Sequence, residues 1–543
     1  MPLLMVLITS AFIHIWNPIG FPTVHVDEGT YMRRALHILE GLGLKEELWG
    51  YDHPFFGPLF LASTLSIIGY PDSLNPDLTR KDSFHSLYMV PRLIMGILAV
   101  IDTFLVYRIG EIKYGRKVAL ISAILFSVMP LTWVLRRIFL ESILLPFLLS
   151  SILFAIKNQE GSVGVQLRRR SRCNQMDLNA LQCPTFQILI SGILLGLAIF
   201  TKIPIVAMIP LVAYLVYKSN KSLLLVGFWF VPVILIPTIW PMHAAIAGEL
   251  EEWFSGISWQ LSRINNSFSD SLHSLFLIDP ILSILGAIGF AFALYKKDFL
   301  IILWMVPIII LFGVLLDYIN WFHWVPIQPA LCLAAAHFMG RVQFTSKTSK
   351  SFQRITGVLF VAIVIFGLIG TGSLITIDLS AFQFEAFGFV GTQLANRTGV
   401  PDQVSNNGNQ VIHLSEGEQL LGGLDNFDTT IISSPIYSWV FKYVFSYGNY
   451  VHDSYLENKS VESDQVVLIV DRYFRDYLMS GYQTYQSGNT KSPSDFVKLN
   501  QIDERAKTLA VFEGKTHLYN RFNYPYSSLT FNFGGSPVQV KVH

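Results

Sequence analysis

The sequence predicts an α-helical polytopic membrane protein with a small α/β domain at its C-terminal end. Of its 543 residues, 52% are hydrophobic and only 14% are charged, and the mean hydropathy is +0.46. A soluble globular chain usually carries about 25% charged residues, so much of this surface is expected to face lipid. The net charge is +1, and the dense basic run at 168–172 lies in a short loop between apolar segments, which gives little support for a nucleic-acid partner. Three scattered cysteines indicate no disulfide framework.

Long apolar runs recur as far as about residue 376 and predict about eleven transmembrane helices. The two runs on either side of Lys202 and Pro204 could instead be one kinked helix. The predicted spans are 2–16, 88–109, 118–136, 139–157, 185–201, 203–217, 222–241, 279–295, 299–316, 322–340 and 355–376.

The distribution of lysine and arginine predicts the orientation of these helices. One set of alternate short loops holds 16 basic residues and the other set holds 4. By the positive-inside rule, the richer set and the N-terminus are cytoplasmic. The 17–87 loop, the 242–278 loop and everything after about residue 377 are then outside. We therefore expect an integral multi-pass protein of the plasma membrane or the reticulum.

The composition changes after residue 376, where apolar runs shorten and polar residues increase. The segments TTIISS, QVVLIVD and TLAVFEG predict short buried strands. The chain is thus expected to divide into a transmembrane domain at 1–376, with interfacial helices in its 17–87 loop, and an extracytoplasmic soluble α/β domain at 377–543.

Two adjacent carboxylates, Asp27 and Glu28, follow the first apolar run. At 100° per residue, residues 31–42 separate into an apolar arc and a polar arc, which predicts a helix lying in the membrane interface. The polar arc holds Arg33, Arg34, His37 and Glu40. Asp27 alone could be a helix N-cap, but a cap does not need a second carboxylate. Acidic residues gathered at the bilayer surface indicate a site that removes a proton or holds a cation.

This loop resembles the GT-C superfamily of membrane glycosyltransferases, most closely the protein O-mannosyltransferase and lipid A aminoarabinose transferase group. The matching residues are Asp27, Glu28, Tyr31, Ala35, Gly41 and the segment YDHP at 51–54. Weaker matches are RRIFLESILLPFLL at 136–149, GILLGLAIFTKIP at 192–204 and HWVPIQPALCLAAA at 323–336. Adjacent tryptophans followed by aspartate, typical of oligosaccharyltransferase catalytic subunits, are absent, which disfavours transfer of a whole oligosaccharide to asparagine.

The resemblance implies an inverting transfer of a sugar from a polyprenyl or dolichyl phosphate carrier to a protein, glycan or lipid acceptor on the outer membrane face. The first-loop acid of the family corresponds to Asp27, which would be the general base, and Glu28 is predicted as a second catalytic carboxylate.

Cations on the predicted outer side break the positive-inside trend and are candidates for binding the carrier phosphate. They are Arg136, Arg137 and Lys202, and His323 at the start of a late helix joins them. Each arginine could instead pair with an acid or extend to the lipid surface.

The remaining candidates shape the site or contact the acceptor. Glu141 lies four residues after Arg137 and could pair with it on one helix face. Its family counterpart is sometimes implicated in binding a divalent ion, so Asp27 and Glu141 are the candidates for a possible metal, although no ligand set defines a geometry. The other site-shaping candidates are Tyr31, Asp52, His53, Gln260 and Arg263.

Two other classes of protein compete with this interpretation. A transporter usually places ionisable residues at the bilayer midplane and repeats its halves, whereas the conspicuous charges here cluster in outer loops and no repeat is evident. A non-catalytic surface receptor or scaffold would use the C-terminal domain as its working part.

Overall fold

The structure is a computed structural model of the full chain. It describes residues 2–46, 50–78, 80–157, 184–262, 268–316, 321–344, 350–395, 429–445, 451–453, 465–475, 501–514 and 537–543.

Helices cover the predicted apolar runs, and further helices lie in the loops between them and directly after the last run. They are α1 (Pro2–Ile15), α2 (Val26–Leu39), α3 (Phe56–Ile67), α4 (Lys81–Tyr114), α5 (Arg116–Val128), α6 (Leu140–Lys157), α7 (Pro184–Thr201), α8 (Ile209–Asn220), α9 (Leu223–Ala247), α10 (Leu250–Ser262), α11 (Phe268–Ile278), α12 (Pro280–Lys296), α13 (Phe299–Ile310), α14 (Gln328–Phe344), α15 (Lys350–Ile375) and α16 (Ala381–Ala395). Single 3-10 or π segments lie at Asp72–Leu74, Pro130–Arg136, Ile203–Met208, Leu311–Leu315 and Trp321–Ile327.

Several of these helices are suited to crossing a bilayer. Among the described residues, four are long and apolar enough on their own, namely Asp82–Tyr114, Ile203–Asn220, Leu223–Ala247 and Gln353–Ile375. Two bent helix pairs raise that number to six, and five further apolar helices are shorter. The chain is therefore a multi-pass membrane protein, and the figure of eleven spans stays a prediction.

The segment around Lys202 is a break between two helices. The α7 helix ends at Thr201, and Lys202 has an extended backbone with φ −154° and ψ 116°. A 3-10 turn that begins at Ile203 then leads into α8. Pro204 fits this turn because its missing amide hydrogen is not needed in the first turn of a helix.

Small residues let α7 approach α9 closely. Gly192 and Gly196 are one turn apart on α7, and a Cβ atom on Gly196 would lie only 2.6 Å from the carbonyl oxygen of Pro232. Small residues spaced in this way are common where membrane helices pack. This contact fixes the position of the end of α7, and Lys202 follows directly after that end.

The described C-terminal residues form a five-stranded sheet with the order β2-β1-β3-β5-β4. The strands are β1 (Thr429–Ser433), β2 (Val451–Asp453), β3 (Gln465–Val470), β4 (Lys507–Phe512) and β5 (Val538–Val542), and a short helix, α17 (Pro435–Trp439), follows β1. β1 runs parallel to β2 and β3, whereas β5 is antiparallel to both β3 and β4. The three predicted strand segments are present as β1, β3 and β4.

The chain divides into two compact units. The first unit contains Met1–Trp16, Trp49–Gly57 and Ile94–Leu374, and the second contains Asn17–Leu48, Pro58–Leu93 and Ile375–His543. The second unit thus combines the C-terminal strands with much of the 17–87 loop.

The α2 helix is an internal element of the second unit. Arg33, Arg34 and His37 are buried, and both arginines form ion pairs with Glu46. Three of the four residues of the polar arc are therefore buried within the second unit, and only Glu40 is exposed. Charged side chains can be buried on this helix because an acid outside it neutralises them, which the helical period alone does not reveal.

Candidate functional site

The start of α2 is a capping box built from neighbouring residues. His25 is the N-cap, and its Nδ1 accepts a hydrogen bond of 3.2 Å from the amide of Asp27. The Glu28 carboxylate accepts a 2.9 Å hydrogen bond from the amide of His25. The reciprocal bonds satisfy two amide groups that a helix N-terminus otherwise leaves unpaired. The interpretation of Asp27 as the N-cap is wrong, since Asp27 is the second residue of the helix.

Glu28 is fully buried and forms a bidentate ion pair with Arg92. The Nε atom of Arg92 donates to Oε2 of Glu28 at 2.8 Å, and Nη2 donates to Oε1 at 2.7 Å. Nη1 of Arg92 donates to the carbonyl oxygens of Pro18 and Pro22, both at 2.8 Å. A bidentate pair with these extra hydrogen bonds meets the geometric demands of a buried charge. It therefore joins α2, α4 and the 18–22 loop.

Asp27 differs from Glu28 in exposure. Its side chain is 33% exposed, and its Oδ2 atom lies 3.8 Å from Nδ1 of His25. The carboxylate sits in the first turn of α2, where the helix dipole favours negative charge. The Asp27 carboxylate is thus accessible, and the neighbouring Glu28–Arg92 ion pair holds its backbone in place.

Other contacts of the second unit support this segment. Gln383 of α16 holds Val24 through hydrogen bonds to both its amide and its carbonyl, at 3.1 and 3.2 Å. The rings of His25 and Tyr473 meet edge to face at 5.0 Å between centroids. Tyr31, a predicted site-shaping residue, is buried with 7% exposure.

In the first unit, Lys202 and Glu141 form a buried ion pair. Glu141 lies in the first turn of α6, which begins at Leu140, so Arg137 precedes this helix. Arg137 and Glu141 are therefore not on one helix, and the prediction that they pair across a helix turn is wrong. The Lys202 ammonium also lies 5.0 Å from the centroid of the Phe322 ring.

Phe322 connects three of the predicted phosphate-binding residues. Its ring lies 4.6 Å from that of His323 and 5.4 Å from that of Phe139. The Arg137 guanidinium lies 5.8 Å from the Phe139 ring. Arg137, Lys202 and His323 thus each lie close to one of these two phenylalanine rings, and their binding of a phosphate stays a prediction.

Arg136 is engaged at the end of α1. Its Nη1 atom donates to the carbonyl oxygen of Ile13, and Nη2 donates to that of Trp16 at 2.7 Å. A cation that binds the last carbonyl groups of a helix stabilises that terminus. These contacts give Arg136 a structural role within the first unit.

The YDHP segment brings together three of the predicted acceptor residues. His53 Nδ1 lies 3.1 Å from the Asp52 carboxylate. The side-chain amide of Gln260 reaches the carbonyl oxygen of Asp52 and Nδ1 of His53, both at 3.3 Å. Arg263 lies outside the described residues.

Sequence reasoning missed the residues that anchor this segment. Tyr51 donates a 2.7 Å hydrogen bond to Glu249, and its hydroxyl lies 2.9 Å from Nδ1 of His243. Burial and the Glu249 carboxylate raise the pKa of Tyr51, so its hydroxyl keeps its proton. Arg92 was also missed, although an arginine inside an apolar run is a signal for a buried partner.

A metal site has limited support from the described residues. Among them, no group of three or more His, Cys, Asp or Glu side chains is arranged to hold an ion. Glu141, one of the two predicted ligands, is engaged with Lys202.

The comparisons with known proteins agree with this fold. Residues 44–268 match a family model described as "Dolichyl-phosphate-mannose-protein mannosyltransferase". This match includes YDHP, Glu141 and Lys202 but begins after Asp27 and Glu28. No curated protein sequence matches the chain.

Two solved structures illustrate the structural similarity. One is the oligosaccharyltransferase AglB from Archaeoglobus fulgidus in complex with an inhibitory peptide and a dolichol-phosphate, at TM-score 0.52 and 12% identity, covering 86% of this chain and 69% of that one. The other is ArnT from Cupriavidus metallidurans bound to undecaprenyl phosphate, at TM-score 0.52 and 12% identity, covering 88% of this chain and 94% of that one. The resemblance to the GT-C superfamily is therefore confirmed, by the fold over most of the chain and by the dolichyl-phosphate-mannose-protein mannosyltransferase family model over residues 44–268.

Proposed function

We propose that this protein is an inverting glycosyltransferase that moves a sugar from a polyprenyl or dolichyl phosphate to an acceptor hydroxyl on the outer membrane face. The observation that carries the proposal is the partly exposed carboxylate of Asp27, held on a helix whose start is fixed by the buried Glu28–Arg92 pair. The family match at 44–268 supports a carrier of the dolichyl phosphate type.

Asp27 is the general base in this proposal. Its carboxylate accepts the proton of the acceptor hydroxyl while the hydroxyl oxygen attacks the anomeric carbon of the sugar. The bond between that carbon and the phosphate oxygen breaks, and the electron pair leaves with the polyprenyl phosphate. Glu28 has a positioning role because Arg92 and the amide of His25 already occupy its oxygens.

Lys202, Arg137 and His323 bind the carrier phosphate and stabilise the charge that develops on it. Cations preorganised in a largely dry site are effective at such stabilisation. Before the donor binds, Glu141 keeps the buried lysine paired. When the donor binds, Lys202 can exchange part of this contact for one with a phosphate oxygen.

The acceptor side is assigned to the YDHP segment. Asp52, His53 and Gln260 form a polar group within hydrogen-bonding range of one another, as recognition of a hydroxyl-bearing acceptor requires. A protein acceptor is the version we favour, because the family model over 44–268 describes mannosyl transfer to protein.

The test uses purified full-length protein in liposomes with dolichyl phosphate mannose, labelled in the sugar, and a Ser/Thr-rich peptide. Release of dolichyl phosphate and labelling of the peptide are both measured. Asp27→Asn should lower turnover by about 10² to 10⁴-fold, the usual contribution of a general base. Asp72→Asn, which changes an exposed acid elsewhere in the 17–87 loop, serves as the matched control.

A second arm separates donor binding from chemistry. Lys202→Gln should raise the KM for the donor at least tenfold, whereas Asp27→Asn should leave donor binding close to that of the parent. Unchanged turnover in Asp27→Asn would remove the proposed base. Failure of the parent to consume any of several polyprenyl phosphate sugars would remove the activity itself.

A further inference from the structure

The α10 helix has three sides with different chemistry. At 100° per residue, Leu250, Phe254, Ile257 and Leu261 fall within an arc of about 60°. We call these four residues the apolar stripe. Leu250, Phe254 and Leu261 are 42%, 60% and 61% exposed. The arc beside the stripe on one side is polar and holds Glu251, Ser255 and Ser258.

The arc on the other side of the stripe packs against the protein. A Cβ atom on Gly256 would lie 2.6 Å from the carbonyl oxygen of Tyr51, so only a glycine permits this approach. The side-chain amide of Gln260 donates a hydrogen bond to the carbonyl oxygen of Asp52. The ring centroids of Trp253 and of Trp240 in α9 lie 5.5 Å apart. These contacts fix the rotation of α10 about its own axis, and the stripe cannot turn inward while they hold.

The stripe follows directly on a surface of the same chain that faces lipid. The second half of α9 exposes Leu235, Met242 and Ile246 by 61%, 56% and 85%. This helix is long and apolar enough to cross a bilayer, so its exposed side chains meet lipid in a multi-pass protein. Only Gly248 and Glu249 separate α9 from α10. The stripe therefore begins where a lipid-facing helix ends.

We propose that the apolar stripe of α10 docks into the bilayer surface, with lipid as its occupant, on the side of the membrane where the YDHP segment lies. A helix that presents exposed leucine and phenylalanine on one side and polar residues beside them is amphipathic in the way that a helix lying in the membrane interface requires. On the arc that packs against the protein, Gly256 and Gln260 of the same helix contact Tyr51, Asp52 and His53. The lipid surface thus becomes part of the scaffold that positions the YDHP segment, independently of the proposed catalytic function.

The test places a single fluorescent probe on each side of the helix in the full-length protein. Cys173, Cys183 and Cys332 are first replaced, and bimane is then attached at Phe254→Cys, Leu261→Cys, Ser255→Cys or Ser258→Cys. In liposomes that contain brominated phosphatidylcholine, the probes at 254 and 261 should be quenched by lipid and protected from iodide. The matched probes at 255 and 258 should show the reverse.

Two outcomes would overturn the proposal. Iodide access at 254 and 261 equal to that at 255 would show that the stripe faces water. Protection of both stripe probes from lipid and from iodide would show that protein covers the stripe, as a second copy of the chain would.

A second measurement tests the link to the YDHP segment. Phe254→Glu and Leu261→Glu should each raise the hydrogen exchange rate of residues 50–56 in liposomes at least fivefold, because α10 lifts from the bilayer. Ser255→Glu adds the same charge on the polar side and should leave that rate unchanged. Equal exchange in all three variants would contradict a scaffold role for lipid.

Discussion

Asp27 and Glu28 are adjacent carboxylates on α2, yet they differ completely in burial. Glu28 is fully buried against Arg92, whereas Asp27 is 33% exposed. Consecutive residues on a helix point about 100° apart, so one can face the interior while the next faces an opening. The pair therefore divides two tasks, the fixing of the helix start and the proposed removal of a proton.

Glu28→Gln is expected to destabilise the folded protein. The substitution leaves the Arg92 guanidinium buried without its counter-charge, and breaking a buried pair in this way costs about 3–5 kcal/mol. The apparent melting temperature of the detergent-solubilised protein should fall clearly below that of the parent. Glu40→Gln, at the exposed end of the same helix, should leave it unchanged.

A double substitution tests whether the loss of stability comes from leaving one charge of this pair buried without its partner. Glu28→Leu combined with Arg92→Leu removes both charges and should regain part of the stability that either single change loses. Additive losses in the double variant would contradict the ion-pair explanation.

At the scale of the element, close approaches place α2 on the C-terminal α/β fold. A Cβ atom on Gly29 would overlap the carbonyl oxygen of Pro435, which is the first residue of α17. The backbone of α2 therefore packs directly against the turn that follows β1. A larger residue would push the helix away and move Asp27 with it.

Gly29→Ala is expected to lower both stability and turnover, although alanine favours helices. The methyl group has no space beside Pro435, and overpacking in a well-packed interior typically costs about 1–3 kcal/mol. Thermal unfolding and the donor-release assay measure the two effects. Gly227→Ala in α9 has no atom within 4 Å of the new methyl group and should be neutral or slightly stabilising. Equal behaviour of the two variants would contradict the close approach.

At the scale of the whole molecule, segments distant in sequence complete the second unit. Tyr88 of α4 donates a 2.6 Å hydrogen bond to the carbonyl oxygen of Ile436, and Trp439 donates a 2.9 Å bond to the Tyr88 hydroxyl. A water-sized cavity lined by Val24, Tyr88, Gln383 and Tyr437 lies among these residues. The short helix α17, which follows β1, is thus covered by helices from the 17–93 region.

A fragment of residues 377–543 is therefore expected not to fold alone. Without α2 and the start of α4, Ile436 and Trp439 lose their cover and their hydrogen-bond partners. Size-exclusion chromatography and circular dichroism should show an aggregated or unfolded species. In the full chain, Tyr88→Phe leaves the buried Trp439 indole unsatisfied and should cost about 1–3 kcal/mol. A monodisperse fragment with a cooperative melting transition would contradict this dependence.

The sequence by itself determined the class of membrane protein, the position of the apolar helices and three strands. These features depend on local composition and on the period of apolar residues, which neighbouring residues encode. It also identified Arg136, Arg137 and Lys202 as cations in unusual places, although not the phenylalanine rings that lie close to Arg137 and Lys202.

Only the tertiary structure decided which polar residues are buried and with what partner. Glu28 meets Arg92 across 64 positions, Lys202 meets Glu141 across 61, and Arg33 and Arg34 of α2 both pair with Glu46. A charge is tolerated in the interior only where the fold supplies a counter-charge. That supply depends on which distant segments meet, and no local pattern in the sequence records it.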